Sequence, residues 1–171
     1  MSDASGKLEG RSPAMSECTL TRIMTALDAN LAGNIHGGVI MKFVDDAAGV
    51  VAARHSGGRV VTAAIDEMSF LHAVHIGDLV HAHARINWAG RTSMEVGVRI
   101  EAERWDNIGH EPQHTSTAYV VYVGLDDDEK PRSVPPVVPE DNTDRRRFRE
   151  AEIRREARLA RREAINKSRD G

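Results

Sequence analysis

The sequence predicts an α+β domain in which an antiparallel sheet of about five strands packs on one long central helix. One segment near residue 40 has apolar residues at helical spacing, and later segments have the composition or alternation of strands. The 171 residues, 40% hydrophobic and 29% charged, suit a single globular domain. Because only 4% of residues are aromatic, aliphatic side chains must fill most of its core.

Composition divides the chain into three parts. Residues 1–17 are polar, contain Gly, Ser and Pro and show no periodicity, which predicts a flexible leader. Residues 18–140 hold the periodic segments and form the predicted domain, which ends in an extended, proline-rich stretch at 134–140. Residues 141–171 have charge pairs four residues apart and few apolar residues, which predicts an exposed, charged C-terminal helix or tail with a thin contact stripe.

A short first strand is expected at about 19–26, followed by a loop and a helix over about 38–54. The apolar residues of this helix fall on one wide face, as in a helix largely buried against a sheet. The glycines after it suit a helix end, where the backbone often turns left-handed. The residues of the wide apolar face are Val39, Ile40, Phe43, Val44, Ala47, Val50 and Val51.

Four further strands are expected at about 60–68, 80–88, 94–103 and 115–123, arranged as a meander. The second and third alternate apolar with polar residues and are joined by a tight connection at 89–91, as antiparallel neighbours are. One helix cannot cover both faces of such a sheet. The other face or an edge is therefore expected to meet another subunit.

Composition and charge exclude several protein classes. The single cysteine, Cys18, rules out an intrachain disulfide and a cysteine-cluster metal site. No apolar run approaches the roughly 20 residues of a membrane-spanning helix and no secretory signal is seen, so we expect a cytoplasmic protein. Residues 141–171 hold 11 Lys and Arg against 7 Asp and Glu, which raises RNA or an anionic membrane as alternative partners. Interspersed acids and one aromatic residue favour a solvated helix or a subunit contact.

Two carboxylates, Asp45 and Asp46, interrupt the apolar helix. A carboxylate there can act as a base or as a nucleophile, and the small residues Ala48 and Gly49 beside Asp45 leave room for a ligand. The alternative is that both lie with Lys42 on the solvated face.

The loop before the helix offers a second polar group. Asn34 precedes Gly37 and Gly38, whose backbone amides at a helix start can stabilise an oxyanion. The alternative is that Asn34 only caps the helix. The glycines do not form a dinucleotide-binding fingerprint. His81 and His83 have the spacing of a zinc pair, but without a third ligand an exposed polar face is favoured.

Together these segments resemble the hotdog-fold acyl-CoA thioesterases, in particular the cytosolic long-chain (brain-type) acyl-CoA hydrolases and their bacterial single-domain relatives. The similarity runs from about residue 21 to 140 and weakly into the tail. Four segments carry it: Asp28-Ala-Asn-Leu-Ala-Gly-Asn-Ile-His-Gly-Gly, Met41-Lys-Phe-Val-Asp-Asp-Ala-Ala-Gly, Ala53-Arg-His and Val61-Thr-Ala.

The resemblance implies an enzyme that hydrolyses fatty acyl-CoA to a fatty acid and coenzyme A. In the two-domain animal enzyme one domain supplies a loop asparagine and the other a helix aspartate, which implies Asn34 and Asp45 here. A homodimer would then build two composite sites, and the family commonly assembles as a trimer of dimers. The implied role of Asp45 is general base or nucleophile.

The same resemblance implies the remaining parts of the site. The amides of Gly37 and Gly38 would hold the carbonyl oxygen, and Asn34 would orient water or thioester. Thr62 and the turn Arg91-Thr92-Ser93 would contact coenzyme A, which is part of the substrate, so no separate cofactor is expected. A turn arginine such as Arg91 is as readily a solvated charge.

Two other function classes remain open at this stage. A hotdog domain can serve as a non-catalytic acyl-CoA sensor that acts through a DNA-binding segment, but no helix-turn-helix pattern precedes the domain. Binding of nucleic acid or an anionic surface by the Arg-rich tail is the other. The acyl-CoA thioesterase interpretation expects neither nucleic acid nor membrane as a partner.

Overall fold

The computed structural model of the protein describes residues 8–107 and 111–169. Its strands are β1 (Cys18–Ile23), β2 (Val60–Phe70), β3 (Leu79–Ala89), β4 (Ser93–Glu103) and β5 (Gln113–Gly124); its α-helices are α1 (Gly37–Ser56) and α2 (Asn142–Arg169). Short 3₁₀ turns lie at Pro13–Met15 and Ala26–Asp28. The predicted five strands, central helix and charged C-terminal helix are confirmed.

All strands are antiparallel, in the order β1-β3-β4-β5-β2. The prediction of a four-strand meander is wrong for β2, which lies at the far edge beside β5 and not beside β3. The connection from β2 to β3, residues 71–78, is too long for a hairpin turn. It passes the start of α1, where Ile35 N donates to Val74 O at 2.8 Å.

Helix α1 packs on one face of this sheet and forms the core with it. The inward alternation positions of β3, β4 and β5 are almost fully buried against the helix, as the sequence pattern predicts. The helix ends at Gly57, which has φ +69°, a conformation that suits glycine. The core residues of the helix are Ile40, Phe43, Val44, Ala47, Ala48, Val51 and Ala52.

The start of α1 is capped by His36, whose Nδ1 accepts a hydrogen bond from Gly38 N at 2.9 Å. The alternative that Asn34 caps the helix is therefore wrong. An imidazole nitrogen can replace the usual Ser, Asp or Asn oxygen because the cap position requires only an acceptor near the free amides of the first turn.

Helix α2 crosses the opposite face of the sheet and is attached largely through arginine–carboxylate pairs. Near its start, the buried carboxylate of Asp144 accepts from Arg85 of β3 at 2.9 Å. Further along, Arg154 Nη2 donates to Glu95 of β4 at 2.7 Å and its guanidinium lies 3.6 Å from the ring centroid of Tyr119. The thin contact stripe expected from the sequence is therefore mainly ionic, with Ala151 as its buried apolar member.

Replacing Arg154 with alanine is expected to destabilise the protein by about 3 kcal/mol, because it leaves the carboxylate of Glu95 buried without its charge partner. Denaturant unfolding followed by circular dichroism measures this change. Arg146→Ala on the same helix removes an exposed pair with Glu150 and is the matched control, with an expected effect below about 0.5 kcal/mol. Equal effects of the two substitutions would contradict a stabilising role for the buried pair of Arg154 and Glu95.

Residues 8–17 of the predicted leader contact the domain. Arg11 N donates to Pro136 O at 2.9 Å, and Arg11 Nη1 donates to the carbonyl oxygens of Arg54 and His55 at 3.0 and 2.7 Å. Residues 1–7 lie outside the described residues. Neither of the two described α-helices combines the length and apolar character that spanning a membrane requires.

Candidate active site

Asp45 lies in the middle of α1, with its carboxylate held from the sheet side. Thr62 Oγ1 donates to Asp45 Oδ1 at 2.8 Å, and the hydroxyl of Tyr122 donates to the same oxygen at 2.6 Å. No described residue hydrogen-bonds to Oδ2. One carboxylate oxygen is thus fixed in place while the other is free to accept a proton or attack a carbon.

Strand register brings the two donors together, because Thr62 of β2 pairs with Tyr122 of β5 on the face that meets α1. Burial and the neighbouring Asp45 raise the pKa of Tyr122. The phenol therefore remains a neutral hydrogen-bond donor throughout the physiological pH range.

Asp46 has a different environment from Asp45. Lys42 Nζ donates to Asp46 Oδ2 at 2.7 Å, and the side chain of Asp46 is half exposed. The alternative that both carboxylates share the solvated face with Lys42 is therefore correct only for Asp46. Neighbouring residues of a helix point about 100° apart, so Asp45 faces the sheet while Asp46 faces solvent.

A cavity of about 370 Å³ lies at the start of α1, and both loop asparagines, Asn30 and Asn34, line it. Gly37 also lines it. Its N–H forms no hydrogen bond among the described residues, whereas the N–H of Gly38 is engaged by His36. The sequence predicted free backbone amides at both Gly37 and Gly38. Among the described residues, only the amide of Gly37 is without a hydrogen-bond acceptor. The apolar wall of the cavity consists of Ile35, Ile40, Phe70, Leu71, Ala73 and Val74.

Asn30 is held more firmly than Asn34. Its Oδ1 accepts hydrogen bonds from Ala32 N at 2.9 Å and from Asn34 N at 3.3 Å. Because the side-chain oxygen is engaged by the loop backbone, the NH₂ group of Asn30 remains available as a donor.

The structure does not bring all predicted site residues together within one chain. Asp45 is eight residues beyond Gly37 along α1, about 12 Å of helical rise. Thr62, predicted to contact coenzyme A, donates a hydrogen bond to Asp45. The turn Arg91-Thr92-Ser93 lies two strands away from it, since Ser93 pairs with Val123, the neighbour of Tyr122. The side chain of Arg91 is exposed.

The two strand histidines contact other polar side chains on the outer face of the sheet. His81 lies between Thr21 Oγ1 at 2.9 Å and Glu103 Oε1 at 2.8 Å. His83 lies in the same way between Thr19 and Glu101, at 3.0 and 3.1 Å. Within residues 8–107 and 111–169, no cluster of three or more potential metal ligands of the His, Cys, Asp and Glu types is found.

Comparison with known proteins assigns this architecture. A family model described as the thioesterase superfamily matches residues 32–104. The acyl-CoA hydrolase of Staphylococcus aureus superposes with a TM-score of 0.85 at 32% identity, covering 94% of this chain and 97% of that chain. The chain belongs to the thioesterase superfamily. Its sheet and central helix form the hotdog fold.

Two further comparisons concern this superfamily member. The cytosolic acyl coenzyme A thioester hydrolase of Mus musculus is 32% identical over 146 residues, which are 85% of this chain. The chain spans only 38% of the length of that relative. A hexameric acyl-CoA thioesterase matches with a TM-score of 0.84 at 31% identity, over 90% of this chain and 97% of that chain.

The Staphylococcus aureus enzyme has been solved with butyryl-coenzyme A and coenzyme A, and also as alanine variants. An asparagine, an aspartate and a threonine were each replaced. Along that chain the asparagine comes first, the aspartate second and the threonine last.

Sequence reasoning missed Tyr122 and Asn30. Tyr122 falls on the apolar, inward-facing side of β5 in the sequence pattern. A buried tyrosine hydroxyl needs a hydrogen-bond partner, so this position could have indicated a contact with α1. Asn30 stands in the same loop as Asn34, and residue type alone does not separate the two.

Proposed function

We propose that this protein hydrolyses acyl-CoA thioesters to a carboxylic acid and coenzyme A, with Asp45 as the reacting carboxylate. One observation carries the proposal: Asp45 Oδ1 is fixed by Thr62 and Tyr122 while Oδ2 is free. The names of the superfamily relatives support the substrate class. Steady release of thiol from a series of acyl-CoAs tests it, and failure of every chain length to react would overturn it.

In the proposed reaction Asp45 Oδ2 removes a proton from water, and the resulting hydroxide adds to the thioester carbonyl. The N–H of Gly37 and a loop asparagine amide stabilise the oxyanion, since they are donors at the positive end of α1. Collapse of the tetrahedral intermediate breaks the C–S bond, and the protonated Asp45 returns its proton to the thiolate. This chemistry needs no cofactor besides the coenzyme A of the substrate.

The second route is direct attack of Asp45 on the carbonyl, which forms a mixed anhydride that water then hydrolyses. A single turnover in ¹⁸O-water identifies the anhydride route when water attacks the aspartyl carbonyl, since only that step labels the enzyme. Water attack on the thioester places ¹⁸O in the fatty acid in the first turnover. Water attack on the aspartyl carbonyl of the anhydride places it in Asp45, where mass spectrometry of the peptide detects it.

We propose Asn30 as the loop asparagine of the site, in place of the Asn34 that the resemblance first implied. The intervals that separate Asn30, Asp45 and Thr62 along this chain equal those between the three residues replaced in the Staphylococcus aureus enzyme. Asn34 is closer to Asp45 in sequence and does not fit this spacing. The engaged Oδ1 and available NH₂ of Asn30 support a donor role.

Comparison of two alanine variants separates the asparagines. We expect Asn30→Ala to lower kcat/KM by about a hundredfold, the typical cost of removing one oxyanion donor. Asn34→Ala should cost much less, because its side chain forms no hydrogen bond among the described residues. The reverse order would return the role to Asn34.

The distance between Asp45 and the start of its own helix supports composite sites in a homodimer. Two α1 helices packed antiparallel across a two-fold axis would bring the loop of each chain to the middle of the partner helix. The free edge of β2 and the exposed apolar residues Val61, Ile65, Phe70 and Leu71 offer a surface for such a contact. The hexameric relative supports a trimer of these dimers.

The cytosolic relative also supports a cytoplasmic location. Binding of nucleic acid or an anionic surface by the tail is less well supported. Arg154 and Arg158 of α2 pair with buried carboxylates of the sheet, and these two charges are therefore engaged within the chain.

Tyr122→Phe is expected to lower kcat/KM by about tenfold, because the ring still fills the core but Asp45 loses one of the two donors that fix it. Initial rates of thiol release measure this loss, and circular dichroism confirms the fold. Tyr119→Phe is the matched control, since Tyr119 lies on the opposite face of β5 under Arg154. Unchanged activity of Tyr122→Phe would remove the phenol from the site.

A further inference from the structure

Helix α2 is longer than the part of the sheet that it crosses. It begins over β3, where Asp144 contacts Arg85, and reaches the edge strand β2, where Arg158 and Arg161 pair with the buried Asp66. The eight residues after Arg161 would rise about 12 Å. Because α2 crosses the three strand spacings from β3 to β2 between residues 144 and 158, eight further residues cover more than one spacing of roughly 4.8 Å. Residues 162–169 therefore extend past β2.

The side of α2 that faces the sheet continues along this overhanging segment, residues 162–169. At about 100° per residue, Ile165 and Arg169 fall within roughly 20° of Arg158, which contacts the sheet. Lys167 falls on the opposite side. Residues 162–169 are all exposed, and Ile165 is 44% exposed. Ile165, an apolar side chain flanked by Arg162 and Arg169, is thus incompletely covered by the residues that the structure describes.

The edge that the segment passes is itself unpaired. Strand β2 pairs only with β5 in the described chain, and its exposed residues include Val61 and Ile65. Glu67, which pairs in register with the outward-facing Tyr119, is exposed and forms no ion pair with any residue that the structure describes. Residues 1–140 carry a net charge of −7 and residues 141–171 a net charge of +4.

We infer that residues 162–169 dock on the outer face of a second copy of this chain joined at the β2 edge. The inference rests on the proposed homodimer and adds a contact on the sheet face opposite to α1. A second copy is the expected partner because residues 162–169 pass the free edge of β2, where the proposed homodimer joins. The net positive charge of residues 141–171 also complements the net negative charge of residues 1–140. Arg162 and Arg169 then approach Glu67 of the partner subunit, and the two-fold axis repeats the contact.

Sedimentation equilibrium of the full chain over a range of concentrations tests this contact. Ile165→Asp should raise the dimer dissociation constant by about tenfold or more. The substitution removes an apolar contact and places a carboxylate near Glu67 of the partner subunit. Ile153→Asp is the matched control: Ile153 is 65% exposed and lies on the far side of α2, so dissociation should not change. Equal behaviour of the two variants would overturn the inference.

A second pair of variants tests the charges without altering Ile165. Arg162→Glu together with Arg169→Glu should weaken the dimer, whereas Lys167→Glu on the opposite side should leave it unchanged. Adding Glu67→Lys to the double variant should restore part of the lost affinity. Failure of both the isoleucine and the arginine variants to weaken the dimer would show that the segment stays in solvent.

Sedimentation does not depend on turnover, so this inference and the proposed function fail separately. A wild-type chain that stays monomeric would overturn the docking and the homodimer, while thiol release still reports on hydrolysis. A chain that dimerises through Ile165 but releases no thiol would overturn only the thioesterase activity.

Discussion

Asp45→Asn is expected to lower kcat/KM for acyl-CoA hydrolysis by about a thousandfold, within the usual contribution of a positioned general base or nucleophile. Asparagine keeps the size of the side chain and an oxygen for Thr62 and Tyr122, but it neither takes up a proton from water nor attacks readily. The fold and assembly should persist. Thiol release measures the rate, and sedimentation and circular dichroism verify the protein.

Asp46→Asn is the matched control, because it makes the same chemical change one residue further along α1. Since Asp46 forms only an exposed pair with Lys42, its loss should change the rate by less than about twofold. A large loss in Asp46→Asn with retained activity in Asp45→Asn would transfer the reacting role to Asp46.

Asn30→Ala and Asp45→Ala chains, each nearly inactive alone, are expected to regain about one quarter of wild-type activity when unfolded and reassembled together. Half of the dimers should be mixed under random pairing, and each mixed dimer holds one intact and one doubly altered site. Rates of thiol release before and after mixing measure the recovery.

The control for this experiment mixes Asp45→Ala with Thr62→Val. Both residues belong to the same half of a composite site, because Thr62 contacts Asp45 within one chain. A mixture of these two variants should not exceed the average of the separately reassembled proteins. Absence of recovery in verified mixed dimers of Asn30→Ala and Asp45→Ala would show that each site forms within one chain.

Local periodicity was enough to predict the elements of the fold but not the place of β2. The alternation around β3 and β4 and the apolar face of α1 depend on near neighbours, so they are visible in the sequence. The pairing of β2 with β5 depends on the path of residues 71–78 past the start of α1, and no local pattern encodes that path. The attachment of α2 was also hidden, because exposed and sheet-bound arginines look alike in sequence.

The candidate site was predictable to a similar extent. A carboxylate in an apolar helix indicated Asp45 as a candidate. To distinguish it from Asp46, however, the positions of β2 and β5 had to be known, because their side chains hold only Asp45. The cap role of His36 and the engaged amide of Gly38 result from one hydrogen bond that residue types do not reveal. Arg91, Thr92 and Ser93 remain predicted coenzyme A contacts, and their turn lies two strands from Thr62 in the same chain.

The position of β2 at the far edge affects the order in which the protein forms during synthesis. Strands β3, β4 and β5 pair with their neighbours in sequence and close short loops first. Thr62 meets Tyr122 only after the intervening strands have been made, which takes several seconds at ribosomal rates. Throughout that interval β2 has neither β5 nor a second subunit beside it. Its unpaired edge and the exposed Val61 and Ile65 then favour pairing with a wrong strand.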